Sequence, residues 1–254
     1  MKLIAATVCA GTLTASLCAQ TAQELTTPEV FQSPGGETLN YRLYLPKPVS
    51  ADKRLPVVLF LHGAGERGTN NVSQLVHGVL PIIRHGLAVN DPAIVLVPQC
   101  PSGMQWVDVP WSAKRHTLPP KPSLPMALTL ALLRDKLATL PADPARVYVT
   151  GISMGGYGTW DAIQRHPELF AAAIPICGGG DTARAPALKT LPIWIFHGDK
   201  DGAVPVERSR DMFQALQACG SKAQYREYAG AGHDVWTRTY TDADVLNWLF
   251  SQHR

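Results

Sequence analysis

Five short apolar runs punctuate the chain, at residues 56–61, 93–97, 146–150, 171–176 and 191–196. Each is short and lacks the polar alternation of a half-exposed strand, so each reads as a parallel strand covered on both faces. Gly, Pro, Ser or Asp after each run marks a loop. Upstream, residues 38–45 do alternate and suit an antiparallel strand near the sheet edge. Between the strands, 124–140 places apolar side chains such as Leu128 and Leu132 three or four residues apart. Segments 154–166, 206–219 and 242–252 have similar helical spacing. Strand alternating with helix predicts a three-layer α/β domain: a mostly parallel sheet, helices on both faces and right-handed crossovers. In such sheets chemistry gathers in the loops beyond the carboxyl ends of the strands.

One of those loops reads Gly151-Ile152-Ser153-Met154-Gly155, between a predicted strand and a predicted helix. Gly-x-Ser-x-Gly at such a junction has a steric cause, because a sharp turn leaves no room for side chains two residues either side of the nucleophile. Ser153 then stands alone above the sheet, facing the positive end of the helix that begins at Met154. A serine hydroxyl needs a base, and the base needs an orienting acid. On a nucleophile turn of this kind the chain order is Ser, then Asp or Glu, then His. Among the later histidines, His197 precedes any loop that could supply the acid and His253 is penultimate. His233 sits in the small-residue loop Ala229-Gly230-Ala231-Gly232-His233-Asp234 ahead of the last helix, which makes it the candidate base. Asp199 and Asp201 both follow the strand ending at Phe196, and spacing does not choose between them. An oxyanion formed in acyl transfer needs two donors. The expected pair is the Met154 N–H and, from the Gly-rich loop after the first central strand, the Ala64 N–H.

Composition narrows the classes. The chain has 254 residues, 46% apolar and only 17% charged, which excludes a disordered polar chain. A formal charge of +3, with no basic run, argues against a nucleic-acid partner. Residues 1–23 carry one charge, Lys2, then a short apolar body and small residues. That is the pattern of a secretory signal peptide cleaved near Ala19, and it is too short and too rich in Thr, Gly and Ser for a membrane anchor. The expected layout is therefore a signal peptide at 1–19, an extension at 20–33 and a catalytic domain at 34–254, in a secreted or periplasmic protein without stable membrane association. Cleavage leaves Cys100, Cys177 and Cys219, an odd number that leaves at least one thiol unpaired. Neither a His-rich ligand cluster nor the paired cysteines of a zinc site occurs, so no metal and no cofactor is expected.

The stretches 61–68 (Leu-His-Gly-Ala-Gly-Glu-Arg-Gly), Pro98-Gln99-Cys100-Pro101, 151–156, 197–201 and Gly232-His233 resemble the α/β-hydrolase superfamily. Within it they are similar to secreted esterases of the predicted-peptidase, poly(3-hydroxybutyrate)-depolymerase-like and feruloyl-esterase-like kind, over about 34–252. The resemblance implies an α/β-hydrolase fold and a serine carboxylester hydrolase. It places the acid at the end of His-Gly-x-x-Asp, on Asp201. A serine nucleophile sets the chain apart from the cysteine branch that resembles dienelactone hydrolase. The link 177–190 is too short for a cap domain, and the Pro-rich connection 99–123 is expected to wall an open groove. Trp106, Trp111 and Trp236 are candidate substrate contacts, whereas Trp160, Trp194 and Trp248 read as core. The expected partner is a small-molecule or polymer-linked ester, of feruloyl or acetyl type on carbohydrate. A peptidase or polyester depolymerase would share the triad, and a non-catalytic binding protein could share the fold. Oligomeric state is not read from the sequence.

Overall fold

The structure is a computed structural model and describes residues 20–47 and 53–254. The segment read as a signal peptide, 1–19, lies outside the described residues. Eight strands form one sheet: β1 Thr27–Gln32, β2 Thr38–Tyr44, β3 Leu55–Leu61, β4 Ile94–Pro98, β5 Ala142–Ile152, β6 Ala172–Ile176, β7 Trp194–Gly198 and β8 Gln224–Tyr228. Their order across the sheet is β1-β2-β4-β3-β5-β6-β7-β8. β2 runs antiparallel to both β1 and β4, and every other pairing is parallel.

The alternation of side chains along β3 explains the continuous apolar run. Val57, Leu59 and Leu61 face one core, while Val58 and Phe60 face the other. The first core is closed by α3 (Leu124–Thr139), α4 (Met154–Arg165) and α5 (Glu207–Ala218) through Met126, Leu132, Trp160, Ile163 and Met212. The second is closed by α2 (Val79–Ala88), α6 (Trp236–Thr241) and α7 (Ala243–Phe250) through Ile82, Tyr240 and Leu249. A four-residue helix, α1 (Ala22–Leu25), precedes β1 and is closed by a reciprocal Thr21–Glu24 capping box.

The predicted strands and the four predicted helices are present, with ends shifted by a few residues. Five elements are additional: β1, β8, α1, α2 and α6. Residues 20–33, expected as an extension outside the domain, hold α1 and the edge strand β1, which pairs with β2 over six residues. The link from β6 to β7 holds a short helix, Thr182–Leu188, and no cap domain. Trp160 and Trp194 are buried, and Trp248 packs edge-on against Trp194 while remaining partly exposed.

Candidate active site

Ser153 sits between the end of β5 and the start of α4 with φ 54° and ψ −117°, a region that a side-chain-bearing residue occupies only under strain. The neighbouring glycines show what holds it there. A Cβ on Gly155 would lie 1.9 Å from the Leu61 carbonyl oxygen, and one on Gly151 would lie 2.3 Å from the Gly155 oxygen. Both contacts are with backbone, so no rotamer change relieves them. The Ser153 N–H donates to Ile176 O at 2.9 Å, which fixes the turn to the neighbouring strand.

The strand ends bring the other two candidates to the same rim. His233 Nε2 lies 2.8 Å from Ser153 Oγ, and His233 Nδ1 lies 2.6 Å from Asp201 Oδ2. The loop carrying His233 packs on the end of β7, where a Cβ on Gly198 would come within 2.2 Å of Gly232 O. Lys200 N–H donates to Ala231 O, clamping the acid and base loops together. Asp201, not Asp199, meets the His233 ring. Its Oδ1 accepts from the N–H groups of Ala203 and Val204 at 2.8 and 2.9 Å, and its side chain is fully buried. Burial alone would raise its pKa. Hydrogen bonds from His197 and His233, then from the Val204 and Ala203 amides, overcome that and hold the carboxyl well below its ordinary range.

Two residues at this centre were given no role there by the sequence reading. His197, fully buried, places Nε2 3.1 Å from Asp201 Oδ2 and 3.1 Å from Val204 O. Because both partners accept, Nε2 carries the proton, and Nδ1 accepts from the Ser209 hydroxyl at 2.7 Å. Cys177 lies under the His233 loop, with Sγ donating to His233 O at 3.3 Å and burial pushing its thiol pKa up. Cys177, Asp201 and His233 bring ligand-type atoms within 4.8 Å of one another. The imidazole and carboxylate are committed to each other and the thiol resists ionisation, so this donor set is poorly suited to a cation. Cys100, Cys177 and Cys219 are all free thiols.

The loop bearing Ala64 is pinned from several sides. His62 Nδ1 donates to Gly63 O at 2.6 Å, and His62 Nε2 accepts from Cys100 N–H at 2.9 Å. Burial lowers the pKa of this imidazole to about 4, so it holds the loop as a neutral ring. Gln99 Nε2 donates to Glu66 O, and Arg67 Nε donates to Ala64 O. The Met154 N–H opens α4 and has no intrahelical acceptor. Ala64 and Ser153 both line a groove of about 280 Å³ that also contains Gly63, Trp111, His233 and Trp236.

The tryptophans divide. Trp236 meets the His233 ring edge-on at 5.3 Å in this groove. Trp111, held by a hydrogen bond from Tyr157 Oη to its carbonyl at 2.9 Å, forms another part of the wall. The expectation that Trp106 contacts substrate is corrected. It is fully buried, and its indole N–H donates to His62 O at 3.0 Å, so it braces the Ala64 loop from below.

An eight-stranded, mostly parallel sheet with this turn at the carboxyl end of β5 defines the class: the chain has the α/β-hydrolase fold. Residues 123–244 match the sequence profile of the Dienelactone hydrolase family. Ser153 therefore does not place the chain outside that family's reach, as the sequence reading had it; it marks a serine where that reading assigned the family a cysteine. The fold superposes with TM-score 0.83 on the crystal structure of a thermostable esterase, at 40% identity over 91% of this chain and 64% of the other. An uncharacterized secreted protein of Arthroderma benhamiae is 26% identical over 86% of this chain, which spans about a quarter (26%) of that relative. A bifunctional acetylxylan esterase/xylanase of Neocallimastix patriciarum is 29% identical over 37% of this chain and 15% of its own length.

Proposed function

We propose that the protein is a secreted serine carboxylester hydrolase that works through an acyl-enzyme. The observation that carries this reading is the continuous chain of hydrogen bonds from Ser153 Oγ through the His233 ring to Asp201, built on a strained turn. Ser153 Oγ attacks the ester carbonyl carbon while His233 Nε2 takes its proton. Asp201 keeps the Nδ1–H tautomer and stabilises the imidazolium. The Ala64 and Met154 amides bind the oxyanion, and His233 returns the proton to the leaving alcohol as the C–O bond breaks. Water, deprotonated by the same imidazole, then releases the acid and restores the serine.

An open groove with two aromatic walls suits bulky or polymer-linked esters, with feruloyl or acetyl groups on carbohydrate as the substrate class. The similarity to an acetylxylan esterase/xylanase supports that choice. Export is supported by the pattern of residues 1–19 and by the similarity to a secreted fungal protein. The test is turnover of aryl esters, feruloylated and acetylated sugars, a short polyester and peptide amides by wild type and Ser153→Ala. Ester cleavage that disappears with Ser153 is expected. Amide cleavage without ester preference would reverse the assignment, and equal turnover by Ser153→Ala would remove the serine from it.

A further inference from the structure

Glu66 and His77 line the groove above Ser153 and take no part in the relay just described. Their nearest approach, Glu66 Oε1 to His77 Nε2, is 3.9 Å, beyond hydrogen-bond reach. Neither side chain hydrogen-bonds to any described residue, yet the Glu66 side chain is only 15% exposed. Its backbone is fixed, with N–H donating to Gly63 O and the carbonyl accepting from Gln99. The carboxylate lies over Gly63, where a Cβ would come within 2.9 Å of Oε2. The carboxylate makes no hydrogen bond to a described residue and its oxygens are not sealed from the surface, so its accepting capacity opens on the groove it lines.

The order of groups along this wall gives the capacity a direction. His77 packs on the Trp236 ring at 5.5 Å, and Trp236 meets His233 at 5.3 Å. His233 is the group that hands a proton to the leaving alcohol, so the wall running from it through Trp236 to His77 and Glu66 lies alongside that alcohol. Resting on the ester-hydrolase reading, we propose that Glu66 and His77 form the subsite for the alcohol half of the ester. The pair selects a neutral alcohol bearing several hydroxyls, of which a sugar is the type. A carboxylate only accepts, while a neutral imidazole both donates and accepts. Adjacent hydroxyls satisfy both at once, and the Trp236 ring supplies an apolar platform for the carbon skeleton. A simple alkyl alcohol leaves both groups unserved. An anionic alcohol meets the Glu66 charge, and a cationic one satisfies Glu66 but not the donor on His77.

The test compares kcat/KM for the methyl, choline and arabinosyl esters of one acid, ferulate or acetate, whichever is cleaved faster. Wild type, Glu66→Gln and His77→Leu are measured side by side. Wild type favours the sugar ester, and each variant lowers the sugar-to-methyl ratio about tenfold, the scale of a lost hydrogen bond to a charged group. An unchanged ratio, with equal losses on both esters, would show that Glu66 and His77 only support the Ala64 loop and would overturn the proposal. A choline ester preferred over the sugar ester would overturn it too. Wild type that cleaves the methyl ester without sugar preference defeats the subsite alone; wild type that cleaves none of the three defeats the hydrolase reading with it.

Discussion

Asp201→Asn isolates the role of one carboxylate with almost no change in shape. Every polar group around Asp201 is a donor: two amides at Oδ1, and the His233 and His197 imidazoles at Oδ2. An asparagine must turn its NH₂ toward one of these sides. Facing Ala203 and Val204 it would meet two amide hydrogens that cannot move. It therefore faces the imidazoles, and His233 Nδ1 must become an acceptor. The proton then sits on Nε2, pointing at Ser153, and the base is lost in the resting enzyme. In the same geometry His197 must also give up its Nε2–H or face another donor, so stability falls by about 1–3 kcal/mol. The expected kinetic effect is a fall in kcat of about 10⁴-fold, roughly 5 kcal/mol in the barrier, with KM little changed. Steady-state hydrolysis of p-nitrophenyl acetate at neutral pH, on protein shown folded by circular dichroism, measures it. A loss smaller than tenfold in a folded variant would refute the reasoning, because the tautomer would then not depend on residue 201.

Three further outcomes follow from the same coordinates. Gly155→Ala drives a Cβ to 1.9 Å from Leu61 O, so the turn must open; we expect a loss of about 3 kcal/mol in urea unfolding and near-complete loss of turnover. Trp106→Ala empties a fully buried site and should destabilise by about 3–5 kcal/mol, whereas Trp111→Ala should alter KM with a far smaller change in stability; the reverse pattern would contradict the assignment of these rings. Glu227 is held to a pKa of about 2, chiefly by its hydrogen bonds from Arg210 and despite partial burial, with Tyr225 Oη also donating. Because its folded pKa is depressed, its contribution is complete above the unfolded value of about 4.3 and fades as pH falls toward 2. With solvent screening of this half-exposed pair, Glu227→Gln should lower Tm by about 2 °C at pH 7, by only a small part of that at pH 2 and by nothing well below it; a Tm gap that widens on acidification would contradict the sign.

What the sequence disclosed of the fold tracks burial. Strands β3 to β7 are covered on both faces and so carry continuous apolar runs. β1 (Thr-Pro-Glu-Val-Phe-Gln) and β8 (Gln-Tyr-Arg-Glu-Tyr) lie at the two edges, where half-exposed positions admit polar residues and erase the pattern. α2 contains Pro81 and Gly86, two residues that interrupt a helical pattern; Pro81 is tolerated because it lies in the first turn, where its missing N–H has no helical partner. α6 spans six residues, too few to show a period.

At the site, spacing brought forward Ser153 and His233, but Asp199 and Asp201 stand equally past β7. The choice between them is made by the turn after Gly198, in which the Asp201 N–H bonds back to Gly198 O and its carboxylate caps the Ala203 and Val204 amides. Trp106 was misplaced because an aperiodic loop gives no sign of which way an aromatic ring points; its indole N–H found a buried carbonyl instead of the groove. His197 stands four residues before Asp201 in the same stretch, and asking what a histidine at a buried strand end could bond to would have pointed to it.

The most direct measurement is the mass-spectrometric mapping of a fluorophosphonate adduct on wild type, Ser153→Ala and His233→Ala. Reaction at Ser153 in the wild type, with no adduct in either variant, is the predicted result. Modification at another residue, or labelling of Ser153 undiminished without His233, would contradict the relay.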